Sequence, residues 1–95
     1  MTRKEALAAI KKGWEKVEYT SDRWYDVSPI GVWKHRKHPK CACAIGAAAY
    51  ALKMGLVEIQ EALWDDEVDY VEIMKISDNA GSKEAAIAAL EAWAA

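Results

Sequence analysis

The chain has 95 residues, 53% of them hydrophobic and 29% charged, with a formal net charge of −2. That length fits a single domain, residues 1–95, with a modest core and a stability toward the low end of about 5–15 kcal/mol. No run approaches about 18 apolar residues, which excludes a membrane-spanning helix, and Met1-Thr2-Arg3-Lys4-Glu5 lacks the apolar stretch of a signal peptide.

The hydrophobic fraction overstates the core, because eighteen of those residues are alanine. Five Trp and four Tyr carry much of the larger apolar bulk, with no Phe. Each of these rings needs a partner for its N–H or O–H when buried. Alanine with tryptophan suits closely packed helices whose gaps are filled by large rings. It also suits a chain that completes its burial by self-association, so a homo-oligomer is expected. Cys41 and Cys43 stand one residue apart, a spacing at which a disulfide is strained. Reduced thiols in a cytoplasm are the expectation.

In chain order, Thr2-Arg3-Lys4-Glu5 forms a capping box that starts a first helix. Leu7, Ile10, Trp14 and Val17 recur at spacings of three and four along one helical face. Gly13 is expected to stop this helix as its C′ residue, with continuation to Val17 as the alternative. Residues 14–36 carry β-branched and aromatic clusters, namely Val17 and Tyr19, Trp24-Tyr25-Asp26-Val27 and Ile30-Gly31-Val32-Trp33. Turn residues separate them, and the pattern predicts a small antiparallel hairpin or three-stranded meander. Pro39 at N1 after His38, and Gly55 after Met54, bracket a second helix by the usual proline-start and glycine-stop asymmetry. It is small or apolar on nearly every side and therefore central. Gly46 within it marks a close approach of another helix or ring. Leu56, Ile59 and Leu63, then Trp64, Val68 and Val71, predict one bent helix or two short ones ending near Ser77. Asp78-Asn79-Ala80-Gly81 is a turn, and Ser82 caps a last helix from Lys83 to about Trp93, with Ile87, Leu90 and Ala94 inward. The fold expected is mainly α, with α+β as the alternative: about four helices around a central alanine-rich one.

The charges are separated along the chain. Residues 34–40 hold Lys34, Arg36, Lys37 and Lys40, two histidines and no acid, while residues 54–74 hold seven acids and no base. Such regions are solvated surfaces or meet ligands of opposite sign. If a helix starts at Pro39, Lys34, His35, Arg36, Lys37, His38 and Lys40 stand before its outward-pointing amides, an arrangement that draws in phosphates. Trp24, Tyr25 and Trp33 would stack a base or ring beside them. His35, His38, Cys41 and Cys43 are also the right residue types for zinc. Four ligands within nine residues leave little chain to wrap a tetrahedron, so no metal is assigned. The cysteines read as small buried residues of an alanine-rich helix, and the acids Asp65, Asp66, Glu67 and Asp69 as a solvated, capped helix start. The acids lack the alternation and central glycine of a calcium loop, and the chain has no phosphate loop or dinucleotide fingerprint.

Gly13-Trp14 after a first helix, Cys43-Ala44-Ile45-Gly46-Ala47 in a central helix, and Ile76-Ser77-Asp78 before a capped final helix together resemble a small uncharacterised domain family of bacteriophages and actinobacteria. That family's pattern has Trp-Asn-Asp where this chain has Ile76-Ser77-Asp78, and it does not include the basic run. The resemblance implies no enzyme activity. It implies a phage setting, in which small proteins bind and block host machinery or host signals. The expectation is thus a non-enzymatic, cofactor-free, cytoplasmic accessory protein that inhibits a host protein or sequesters a small anionic, nucleotide-like ligand through residues 34–40. Nucleic-acid binding and a zinc-stabilised interaction module are the alternatives.

Overall fold

The computed structural model describes residues 1–20 and 41–95. Their elements, in chain order, are α1 (Arg3–Trp14), β1 (Glu18–Tyr19), β2 (Cys41–Ala42), α2 (Ala44–Leu52), α3 (Leu56–Ala62), α4 (Tyr70–Asp78) and α5 (Lys83–Ala94). The fold is mainly α with a minor two-stranded sheet. No helix among the described residues is long and apolar enough to cross a membrane.

The N-terminal capping box forms as its residues dictate. Thr2 Oγ1 accepts from the Glu5 amide at 3.1 Å, and Glu5 Oε1 accepts from the Thr2 amide at 2.9 Å. Two donors that a helix start leaves unsatisfied are thereby paired. The helix then runs through Gly13 to Trp14, so the expected stop at Gly13 is corrected. The reason is packing. A Cβ built on Gly13 would overlap the carbonyl group of Ala47 and lie 2.9 Å from its Cα. The absence of a side chain lets α1 press against the backbone of α2, in the most extensive helix contact among the described residues. Gly46, expected to mark a close approach, is buried in α2.

α2 is the middle of the domain, as its composition required: Ala44, Ile45, Gly46, Ala47, Ala48 and Ala49 are all buried. Both of its bounds differ from the expectation. Cys41 and Ala42 are extended and pair in parallel with Glu18 and Tyr19, so the helix begins at Ala44 with Cys43 as N-cap, not at Pro39 with His38. Pairing with β1, together with the Thr20 amide donating to Ala42 O at 3.2 Å, holds this stretch extended. At the other end Lys53 takes the left-handed conformation, with φ 57°. The Met54 amide donates to Ala49 O at 2.9 Å and the Lys53 amide to Tyr50 O at 3.3 Å, the paired bonds of a Schellman ending. Gly55, expected to be that left-handed residue, is instead the extended N-cap of α3, and Glu58 Oε1 accepts from its amide at 3.2 Å.

Among the described residues, Glu18-Tyr19 pairs with Cys41-Ala42, in parallel, a pairing that the sequence pattern did not announce. A hairpin connection serves only antiparallel neighbours; a parallel pair needs a crossover of a dozen or more residues. The rest of the expected meander, residues 21–36, lies outside the described residues.

α3 and α4 are separate short helices, one of the two arrangements expected. Their shared face does not continue through Trp64. Val68 is buried, but Trp64 is 63% exposed and Val71 also faces solvent. The acid after Trp64 is the cause. Asp65 Oδ1 accepts from the amides of Glu67 and Val68, both at 2.9 Å, and the Asp65 amide donates to Val68 O at 2.9 Å. An aspartate that captures nearby amides offers the backbone an alternative to helix. α4 restarts at the Asp69 N-cap, whose carboxylate accepts from the Val71 amide at 2.8 Å. α5 is capped by Ser82, as expected, and buries Ala86, Leu90 and Ala94, with Ile87 half-buried against the core.

Replacing Gly13 by alanine separates local propensity from packing. Helix propensity alone predicts a gain of about 1 kcal/mol. Overlap with the Ala47 backbone predicts a net loss of about 2 kcal/mol, and urea unfolding of Gly13→Ala against the parent chain reads the sign.

Candidate functional site

The parallel pair gathers polar contacts at the points where residues 21–40 leave and rejoin the described structure. Trp14, buried at the end of α1, donates its indole N–H to Ala42 O at 3.0 Å. Tyr19 meets the Trp14 ring edge-on, with centroids 5.6 Å apart, and donates its hydroxyl to Ser77 O at 2.6 Å. Lys83 Nζ donates to Trp14 O at 2.7 Å and to Val17 O at 2.9 Å. A cation thus meets the negative end of the α1 dipole. These bonds tie α1, β1, β2, α4 and α5 together at one place. Each large ring there has the polar partner that burial demands.

Cys43 lies in this region. Burial pushes its thiol up to about 11, against the opposing pull of the Gly46 and Ile45 amides. Cys43 packs within the hydrophobic core cluster. Cys41 is half-buried in β2. Ser77, from the Ile76-Ser77-Asp78 stretch, is fully buried in α4, and its hydroxyl has no hydrogen-bond partner among the described residues.

Of the residues that the sequence singles out for binding, Trp24, Tyr25, Trp33, Lys34, His35, Arg36, Lys37, His38 and Lys40 all lie outside the described residues, as does Pro39. One premise attached to them is corrected. Among the described residues, the helix start nearest the basic run in sequence lies at Ala44, and its first-turn residues Ala44, Ile45 and Gly46 are buried. Amides of a helix beginning at Pro39 are therefore not part of the arrangement. For zinc, the two histidines fall outside the described residues. No three His, Cys, Asp or Glu side chains among those described converge on a metal position.

A second charged region was read from the sequence as a solvated helix start and is more organised than that. Asp65 Oδ2 lies 2.7 Å from the Met1 amino group. The Arg3 amide donates to Glu67 Oε1 at 3.1 Å, Arg3 Nε to Glu67 O at 3.0 Å, and a second guanidinium nitrogen to Trp93 O at 2.8 Å. The guanidinium lies 4.9 Å from the Trp93 ring centroid and 3.7 Å from Glu72, and the Trp93 indole donates to Glu72. The N-terminal end of α1 is thus clasped to the 64–69 turn and to the end of α5. The Met1 amino group, and then the Glu67 and Val68 amides, hold the Asp65 carboxyl down at about 2, and the same contact raises the amino group above its ordinary 8.0. The sequence signal for this turn was the Asx spacing of Asp65 to Val68, hidden by a hydrophobic period that runs through it.

The clasp fixes a pH dependence. The Asp65 carboxyl titrates lower in the folded chain than its ordinary 3.8, so its stabilisation is present above about 4 and is lost as pH falls toward about 2. Thermal midpoints of the parent chain and Asp65→Asn, measured from pH 6 to 2, should differ at pH 6 and converge between about 4 and 2. A constant gap across that range would show that the carboxylate charge is not what is lost.

No family model matches the chain, and neither a curated protein nor a solved structure matches it. Function is therefore read from the residues and their chemistry.

Proposed function

We propose that the chain is a small non-enzymatic binding protein, in which a helical scaffold carries residues 21–40 as its recognition segment. Lys34, Arg36, Lys37 and Lys40, with His35 and His38, supply the positive charge, and Trp24, Tyr25 and Trp33 supply stacking surface. The ligand class is a host protein's acidic surface or a small anionic, nucleotide-like molecule. The observation that carries this reading is the charge pattern: four bases and two histidines without an acid within residues 34–40, in a chain whose net charge is −2. Supporting it, the segment is bounded on one side by β1 and on the other by β2, where Trp14, Tyr19 and Lys83 fix the backbone. With the start of α2 at Ala44 and not at Pro39, the reading rests on the charge and stacking capacity of the side chains. The resemblance to a phage domain family favours a host target, as in a protein that blocks a host defence. Self-association is part of the proposal, favoured by Ala85, Ala88 and Ala92, which are exposed on one face of α5.

The second reading is nucleic-acid binding through the same segment. The aromatics interleaved with bases favour it, and the seven acids of residues 54–74 oppose it by repelling a phosphate backbone.

A Lys34/Arg36/Lys37/Lys40→Ala variant should keep the parent's circular dichroism and thermal midpoint. Native mass spectrometry of both proteins, purified from the same host cells, should find a co-purifying anion or host protein on the parent and at least about tenfold less on the variant, a loss of roughly 1.4 kcal/mol. Equal occupancy would remove the segment from the account. In a titration with a single-stranded oligonucleotide, affinity falling with salt at a slope near −0.7 per phosphate contacted would select the second reading.

A further inference from the structure

Trp64 differs from the other two described tryptophans. Trp14 is buried and bonded to Ala42, and Trp93 is half-buried and bonded to Glu72, whereas Trp64 is 63% exposed. Leaving most of the largest apolar side chain in water forgoes the stabilisation its burial would bring. The ring is nevertheless held. Its backbone pairs with Asp69 in an antiparallel bridge, the intervening turn is closed by the Asp65 bonds described above, and Tyr70 packs against it with centroids 5.4 Å apart and planes at 47°. A fixed, exposed Trp–Tyr pair is the kind of surface that dominates binding energy at protein interfaces, since little ordering remains to be done on association.

The surroundings decide what it fits. Glu61, Asp65, Asp66, Glu67 and Asp69 are all exposed within five residues of Trp64 in sequence. Among the described residues, the cations that reach this group are the Met1 amino group on the Asp65 carboxylate and the Arg3 guanidinium, which bonds the Glu67 backbone carbonyl and not its carboxylate. Asp66 has no such partner among them. An aromatic face ringed by carboxylates attracts a side chain that is both flat or long and positively charged. It repels phosphate backbones and anionic lipid headgroups.

We propose that Trp64, supported by Tyr70 and rimmed by the acids of the 64–69 turn, is a docking surface for a basic segment of a partner protein. An arginine or lysine of that segment lies over the Trp64 ring with its charge toward Asp66 and its neighbours. The proposal uses none of residues 34–40 and does not depend on the function proposed for them. A second copy of this chain, which itself carries Lys34, Arg36, Lys37 and Lys40, is the competing occupant.

The test uses the full chain and a fluorescein-labelled peptide of alternating arginine and alanine, with a glutamate–alanine peptide as control, read by fluorescence anisotropy. The arginine peptide should bind the parent chain and weaken as salt is added, and the glutamate peptide should not bind. Trp64→Ala should lose about tenfold in affinity while keeping the parent's thermal midpoint, and Trp64→Phe should recover most of the loss. The Lys34/Arg36/Lys37/Lys40→Ala variant should bind the peptide as the parent does. Equal binding by the parent and Trp64→Ala would reduce the effect to diffuse acidity and overturn the proposal. So would a peptide-free dimer of the parent that Trp64→Ala converts to monomer, because the surface would then belong to a second copy.

Discussion

The domain depends on one contact, the backbone of α1 at Gly13 lying against the backbone of α2 at Ala47. Alanine-rich helices have little side chain with which to fill space, so they gain from packing only when they come close. Gly13 permits that closeness, and the buried run Ala44–Ala49 is its complement. The remaining large side chains then act as wedges around the pair. Ile10 and Trp14 lie on α1, Ile45 on α2, Ile59 and Leu63 in and after α3, Ile73 on α4 and Leu90 on α5, all fully or nearly fully buried.

The two-stranded sheet follows from the same contact. With Trp14 brought down beside β2, its indole N–H has Ala42 O to bond, and that bond helps keep Cys41-Ala42 extended instead of helical. Lys83 and Tyr19 then tie α5 and α4 to the same corner. At the other end of α1, Arg3 and the Met1 amino group clasp the acidic turn. One helix is thus fixed at both ends by polar contacts to different parts of the chain.

Much of the helical framework was legible in the sequence because its signals are local. The Thr2–Glu5 capping box, the Ser82 cap and the apolar run of α2 each appear where the residues place them. What was not legible depended on partners distant in sequence. Gly13 reads locally as a helix stop, and only the approach of Ala47 explains why it is an interior residue. Lys53 takes the left-handed role expected of Gly55, because the Schellman bonds fall at Lys53 and Met54, and Gly55 caps α3 instead. Cys41-Ala42 is a strand because β1, more than twenty residues away, supplies its partner. Trp64 follows the hydrophobic period yet is exposed, because the Asp65 carboxylate claims the next amides. The proposed recognition segment, residues 21–40, was legible as chemistry alone, from its charges and rings.

The central claim is that α1 and α2 form one cooperative unit on which everything else is assembled. Native-state hydrogen exchange, followed amide by amide across a denaturant series, tests it most directly. The amides of Ile10 to Trp14 in α1 and of Ala47 to Ala49 in α2 should exchange slowest and share one opening free energy, equal to that of global unfolding. If the α2 amides open at a clearly lower free energy while α4 and α5 remain protected, the close helix pair is not the foundation of this fold.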